Sequence, residues 1–155
     1  MTRIAILHPD LGLGGAERLI VDIALALKAS GHEVDMYTNF HDKKRCFDET
    51  RNGQLDVFVA CSWFPRNLFG RFNALCAYIR FILLAIYVLV FRSTTNSYDL
   101  FICDQISACI PILKLSPKPV LFYCHYPDHR IRIEMIIEKT FVCFLFYSEL
   151  DNLFS

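Results

Sequence analysis

Between Val57 and Tyr98 the chain has no aspartate and no glutamate, although its 155 residues carry 16 acidic and 16 basic side chains. Four arginines, Arg66, Arg71, Arg80 and Arg92, stand in that gap, which leaves 12 basic residues against 16 acidic elsewhere. The formal net charge is +0, so the basic footprint that nucleic acid demands is missing. No C-x-x-C pair occurs among the seven scattered cysteines, Cys46, Cys61, Cys76, Cys103, Cys109, Cys124 and Cys143. That excludes a zinc ribbon and a thioredoxin-like site. The histidines His8, His32, His41, His125 and His129 show no zinc-ligand spacing either, so no metal site is expected. The first apolar run, Ile4 to Leu7, ends at His8-Pro9-Asp10 and is too short for a secretory leader. Reduced thiols facing the cytosol are the expectation. Repeats, low-complexity tracts and flexible linkers are also missing.

What is present is apolar. Hydrophobic residues make up 54% of the chain and aromatics 14%, which excludes a disordered or collagen-like protein. The length suits one α/β domain. Arg3 to His8 reads as a buried strand, Gly15 to Ser30 as an amphipathic helix stopped by Gly31, and Glu33 to Thr38 as a second strand. That strand–helix–strand unit implies a parallel sheet with a right-handed crossover. Three more strands are expected at Leu55 to Ala60, Asp99 to Cys103 and Pro119 to Cys124, the last two each ending in a thiol that behaves as a small hydrophobe. Gln105 to Leu113 reads as a short helix that Pro111 kinks or ends. The fold class is α/β, a Rossmann-like open parallel sheet.

In such a sheet, ligands bind outside the carboxyl ends of the strands. Gly12-Leu13-Gly14-Gly15, Cys61-Ser62-Trp63, Asp104-Gln105 and His125-Tyr126-Pro127-Asp128 all fall at that edge. Glycines let a ligand approach the backbone, and the following helix offers free N–H groups to a phosphate. The same loop can equally be a plain strand-to-helix turn. Glu17 either complements the helix dipole or binds a hydroxyl. His125 suits proton transfer or a hydrogen bond to a sugar hydroxyl or phosphate, or it caps a strand. Asp128 can orient it or cap a helix, and Asp104 and His8 share that ambiguity.

Residues 74–91 are apolar apart from Arg80. They approach a membrane span in length, though a central arginine is costly there. A helix lying in the interface tolerates the arginine by snorkelling, and a buried core helix is the plainer alternative. With no acids on either side, membrane contact is the favoured reading.

The opening His8-Pro9-Asp10-Leu11-Gly12-Leu13-Gly14-Gly15-Ala16-Glu17-Arg18-Leu19 resembles that of the GT-B retaining glycosyltransferases. Cys76-Ala77-Tyr78-Ile79-Arg80, the run from Cys103 to Pro111 and the run from Leu121 to Asp128 narrow the resemblance. They are similar to the α-1,3/1,6-mannosyltransferases of lipid-linked oligosaccharide synthesis. The resemblance implies transfer of mannose from GDP-mannose to a dolichol-diphosphate-linked glycan, on the cytosolic face of the endoplasmic reticulum membrane. No cofactor is implied and no obligatory catalytic metal. Association with other glycosyltransferases of the pathway is also implied. Gly12, Gly14 and Gly15 would line the donor-phosphate side. His125 would be the catalytic residue near the transferred sugar, with Glu17, Asp104 and Asp128 at the cleft edge or acceptor. The resemblance runs over residues 4–128. Residues 1–155 then read as an incomplete N-terminal, acceptor-side domain, with 129–155 a divergent tail.

A donor-binding second domain with its E-x7-E motif is absent from these residues, so the chain alone is expected to be inactive. Two other classes compete: a non-catalytic membrane-associated binding module, and a truncated product that exposes apolar surface and is degraded. A dinucleotide-binding oxidoreductase is disfavoured, since the loop is not G-x-G-x-x-G and Asp35 alone is a weak ribose signal.

Overall fold

The computed structural model describes residues 1–66, 73–92 and 97–124. In chain order they form β1 (Arg3–Leu11), α1 (Gly15–Ala29), β2 (Glu33–His41), α2 (Asp48–Arg51), β3 (Asp56–Val59), α3 (Asn73–Tyr87), β4 (Leu100–Asp104), α4 (Ile110–Leu113) and β5 (Val120–Tyr123). A π-helical turn, Val88–Arg92, extends α3, and a 3-10 turn, Ser107–Cys109, precedes α4. All five strands are parallel, in the order β3-β2-β1-β4-β5. The expected Rossmann-like open sheet is what the chain forms.

The order follows from burial. Ile4, Ala5, Ile6 and Leu7 are all buried, which requires cover on both faces and so a central strand. Ile4 and Ile6 pack with Val34, Met36 and Ile102 against Ile20, Val21 and Ala24 of α1. By the two-residue alternation of strands, Ala5, Leu7, Tyr37, Phe101 and Cys103 face the other way. On that side α3 crosses β1 and β2. Each fully buried aliphatic contributes roughly 1.5–3 kcal/mol. Helix α1 stops in a Schellman motif: Gly31 has φ +87°, its N–H bonds to Lys28 C=O, and His32 N–H bonds to Leu27 C=O.

Helix α3 buries Cys76, Arg80, Phe81, Leu84 and Ala85, and the π-helical turn continues this face with Val88. Leu75, Tyr78 and Ile86 are exposed on the opposite face. Its end is tied down by polar groups. Arg92 Nε donates to Tyr37 Oη at 2.9 Å, Tyr37 Oη meets Tyr98 Oη at 2.5 Å, and Tyr98 donates to Asp35 at 2.5 Å. The Arg92 guanidinium also lies 4.2 Å from the Phe58 ring centroid.

Several expectations need correction. Arg80 does not snorkel outward: it is turned inward, 6% exposed, and paired with Asp10. Pro111 opens α4 at its first turn instead of ending a helix, as suits a residue with no N–H to give. Cys103 is buried as expected, but Cys124 is exposed because it lies beyond the edge strand β5. The strands β1 and β2 also run three residues further than the apolar runs indicate. His125, Asp128 and the 129–155 tail lie outside the described residues.

Candidate functional site

The strand order reverses between β1 and β4, so the crevice at their carboxyl ends is the topological switch point where open α/β sheets bind ligands. The register pairs Ile6 with Ile102 and Leu7 with Cys103. One step further along, His8 and Asp104 stand side by side. The His8 Nδ1–H donates to Asp104 Oδ2 at 2.6 Å, with both side chains almost wholly buried. This fixes the imidazole with Nε2 directed away from the carboxylate, and Nε2 is buried with no hydrogen-bond partner among the described residues. A buried polar atom without a partner is costly and rare in a finished structure. Here it belongs to a histidine set at the switch point.

The turn after Asp104 is strained. Gln105 has φ +64°, and Cys61, at the equivalent place after β3, has φ +58°. Side chains other than glycine reach that region at a cost of about 1–3 kcal/mol, mostly where function over-determines the backbone. Gln105 N–H bonds to Tyr123 C=O and Ile106 N–H to Asp104 C=O. The first bond ties the β4 turn to the end of β5, and the second closes the turn on itself. Burial pushes the Cys61 thiol pKa up, and the Cys109 hydrogen bond, followed by burial, holds that of Cys103 well up. Both therefore stay protonated, and neither is an activated nucleophile.

The glycine loop runs from the end of β1 into α1. A methyl group at Gly12 or Gly15 would meet nothing within 4 Å, whereas one at Gly14 would run into the Glu17 carboxylate. The start of α1 has no side-chain cap. Glu17 folds back over Gly14, and its charge complements the positive helix end. The helix-dipole reading of Glu17 thus has a geometric basis, and Gly12 and Gly15 leave open backbone at the edge.

A second cluster lies at the carboxyl edges of β1 and β2. Asp10 takes Arg80 at 3.3 Å and Arg66 at 4.0 Å. Asn39 Nδ2 donates to the Ala60 and Arg80 carbonyls, which anchors α3 to β2 and to the end of β3. Among the described residues, no three His, Cys, Asp or Glu side chains converge to hold a metal ion.

The structure thus joins Asp104 to His8, and it sets Gly12, Gly14, Gly15 and Glu17 on the same edge. The His8–Asp104 pairing and the Asp10–Arg80–Arg66 cluster were not foreseen. The signal for the first was present: residues 4, 6, 8 and 100, 102, 104 share one face by alternation. The second joins residues up to 70 positions apart and leaves no such pattern.

Comparison with known proteins fits this architecture. The chain is 51% identical to an alpha-1,3/1,6-mannosyltransferase (ALG2) of Dictyostelium discoideum, over 90% of the chain and 36% of that protein. It is 52% identical to the enzyme of the same name from Rhizomucor pusillus, over 81% of the chain and 27% of that protein. The chain spans about a third of the length of these curated relatives. Among solved structures, the glycosyltransferase of kitacinnamycin superposes with a TM-score of 0.58 at 14% identity, over 89% of this chain and 35% of that one. That likeness bears on the fold alone. The sequence model of Glycosyltransferase Family 4 matches residues 13–146, from the glycine loop to beyond β5, and to that family the chain belongs.

Proposed function

We propose that the chain is the acceptor-side half of a GT-B mannosyltransferase. In this reading it moves mannose from GDP-mannose to a dolichol-diphosphate-linked oligosaccharide in N-glycan precursor synthesis, at the cytosolic face of the endoplasmic reticulum membrane. The observation that carries the proposal is the convergence of the glycine loop and the buried His8–Asp104 pair at the switch point. The chain bearing them shares half its residues with enzymes named as mannosyltransferases.

In the reaction, a sugar–phosphate bond breaks and negative charge grows on the departing diphosphate. Fixed N–H dipoles stabilise such charge without reorganisation, and the start of α1 supplies them beside Gly12 and Gly15. An arriving phosphate replaces the Glu17 carboxylate at that helix end. Asp104 acts as a positioning residue that holds His8, and with it the strand that delivers the loop. His125, two residues past the end of β5, is assigned to the transferred sugar, with Asp128 beside it at the acceptor edge. The exposed face of α3, with Leu75, Tyr78 and Ile86, is the surface assigned to the membrane.

The test is mannose transfer from labelled GDP-mannose to a mannosylated dolichol-diphosphate chitobiose. The 155-residue chain is assayed alone and joined to the remaining two-thirds of the Dictyostelium relative. Transfer by the joined protein only, lost on His125→Ala, is the expected result. Transfer by neither favours the non-catalytic binding module. Transfer by the short chain alone removes the need for a second domain.

A further inference from the structure

The described residues with φ in the left-handed region divide by the edge of the sheet on which they stand. Gly31, at φ +87°, leads into β2, and Gly53, at φ +79°, leads into β3. Both stand at the amino edge, and glycine takes this backbone without strain. Cys61, at φ +58°, follows β3, and Gln105, at φ +64°, follows β4. Both stand at the carboxyl edge, and both keep a side chain there at a cost in strain. Cys61 is partly buried, so packing accounts for its side chain. Gln105 is exposed, and no hydrogen bond among the described residues uses its carboxamide. Its side chain therefore gives the fold nothing that glycine would not.

The backbone beneath that side chain is over-determined. Ile106 N–H reaches back to Asp104 C=O at 2.8 Å, and with φ +64° between them this is the rare, strained form of the γ-turn. Gln105 N–H is held by Tyr123 C=O at 3.1 Å, and the Asp104 side chain by His8 at 2.6 Å. An exposed amide is thus fixed at its root on the β4 side of the switch-point crevice, with the glycine loop on the β1 side. A carboxamide both donates and accepts hydrogen bonds. A sugar hydroxyl does the same, whereas a phosphate only accepts and is better met by cations or backbone N–H groups.

We propose that the Gln105 carboxamide hydrogen-bonds a hydroxyl of the acceptor glycan and sets the affinity for that sugar. The proposal rests on the reading that the chain is the acceptor-side half of a mannosyltransferase, and it adds a specificity residue to that half. Two variants separate the side chain from the backbone. Gln105→Ala keeps the strain and loses the carboxamide, and Gln105→Gly loses both. In the joined protein, the KM for mannosylated dolichol-diphosphate chitobiose is expected to rise about tenfold in both variants, with the KM for GDP-mannose unchanged. The urea midpoint of the 155-residue chain is expected to hold in Gln105→Ala and to hold or rise in Gln105→Gly.

An unchanged acceptor KM in Gln105→Ala overturns the proposal. A loss in Gln105→Ala that Gln105→Gly restores also overturns it, because the backbone and not the carboxamide is then responsible. A rise in the KM for GDP-mannose instead moves Gln105 to the donor and overturns the acceptor assignment. If the joined protein transfers no mannose, the proposed function fails, and a readout that needs no reaction decides. Gln54 and Gln105 are the only glutamines of the chain, so labelling glutamine with nitrogen-15 gives each side-chain amide its own signal in the 155-residue protein. Soluble mannosylated chitobiose should shift the Gln105 amide and leave that of Gln54, at the amino edge, in place. No shift at Gln105, or equal shifts at both, then overturns the proposal.

Discussion

Replacing His8 with alanine leaves the Asp104 carboxylate buried at the switch point without the imidazole that meets it at 2.6 Å. Losing a hydrogen bond to a buried carboxylate costs about 1.5–3 kcal/mol. A domain of this size has roughly 5–15 kcal/mol of stability in total, so His8→Ala should remove about a tenth of it or more. Asp104→Asn keeps the shape and still accepts a hydrogen bond from Nδ1–H, but loses the charge, and should cost about 1–2 kcal/mol. The decisive quantity is the coupling in the cycle His8→Ala, Asp104→Ala and the double variant, expected at about 1.5–3 kcal/mol. Urea unfolding of the 155-residue chain, followed by far-ultraviolet circular dichroism and Trp63 fluorescence, measures it. An unchanged m-value shows that the denatured state is the same. A coupling below about 0.5 kcal/mol means that the two residues act independently, and the positioning role assigned to Asp104 then fails.

Gly15→Ala should not destabilise the chain, since its methyl group has open space and alanine is favoured in helices by up to about 1 kcal/mol. If a donor phosphate approaches that backbone, transfer by the joined protein should fall while the melting temperature holds or rises; unchanged activity refutes the approach. Tyr98 is raised above its ordinary value of 10.0, first by burial and then by its hydrogen bonds to Asp35 and Tyr37. A folded value above the unfolded one gives stability that is present below pH 10 and is lost as pH rises further. Tyr98→Phe should therefore cost about 1 kcal/mol at neutral pH and flatten the alkaline fall of the urea midpoint. Parallel profiles for the two proteins between pH 8 and 11 would falsify that account.

The strands were legible because each is an apolar run bounded by turn residues, and the parallel order followed from the first strand–helix–strand unit. Their lengths were less so. Pro9 looks like the end of β1, having no N–H for a ladder. The pairing nevertheless resumes beyond it, with Asp10 opposite Phe40 and Leu11 opposite His41, and Thr38 Oγ1 donates to the Pro9 carbonyl. Helix α2 has four residues, too few for a periodicity to show. The candidate edge was legible as a set of loops, since a parallel sheet gathers its carboxyl ends on one side. Which side chains touch was not, because His8 and Asp104 are 96 residues apart and only the register brings them together.

Helix α3 shows the same limit from the other side. Its composition satisfies the length and apolarity of a membrane span, and Arg80 is the residue that conflicts with that reading. The structure gives the arginine a reason to be there: it is the inward tie to Asp10, on the same helix face as Phe81 and Leu84. Crossing a bilayer would require α3 to leave β1 and β2, exposing the core residues beneath it. It would also place an unpaired arginine near the membrane centre, at about 2.5–3.5 kcal/mol even on the mildest scale. Lying on the surface requires neither, because Leu75, Tyr78 and Ile86 already face outward while Arg80 keeps its partner. Membrane contact and a folded sheet are therefore compatible in one orientation of α3, the one that keeps Arg80 on Asp10 and Leu75, Tyr78 and Ile86 outward.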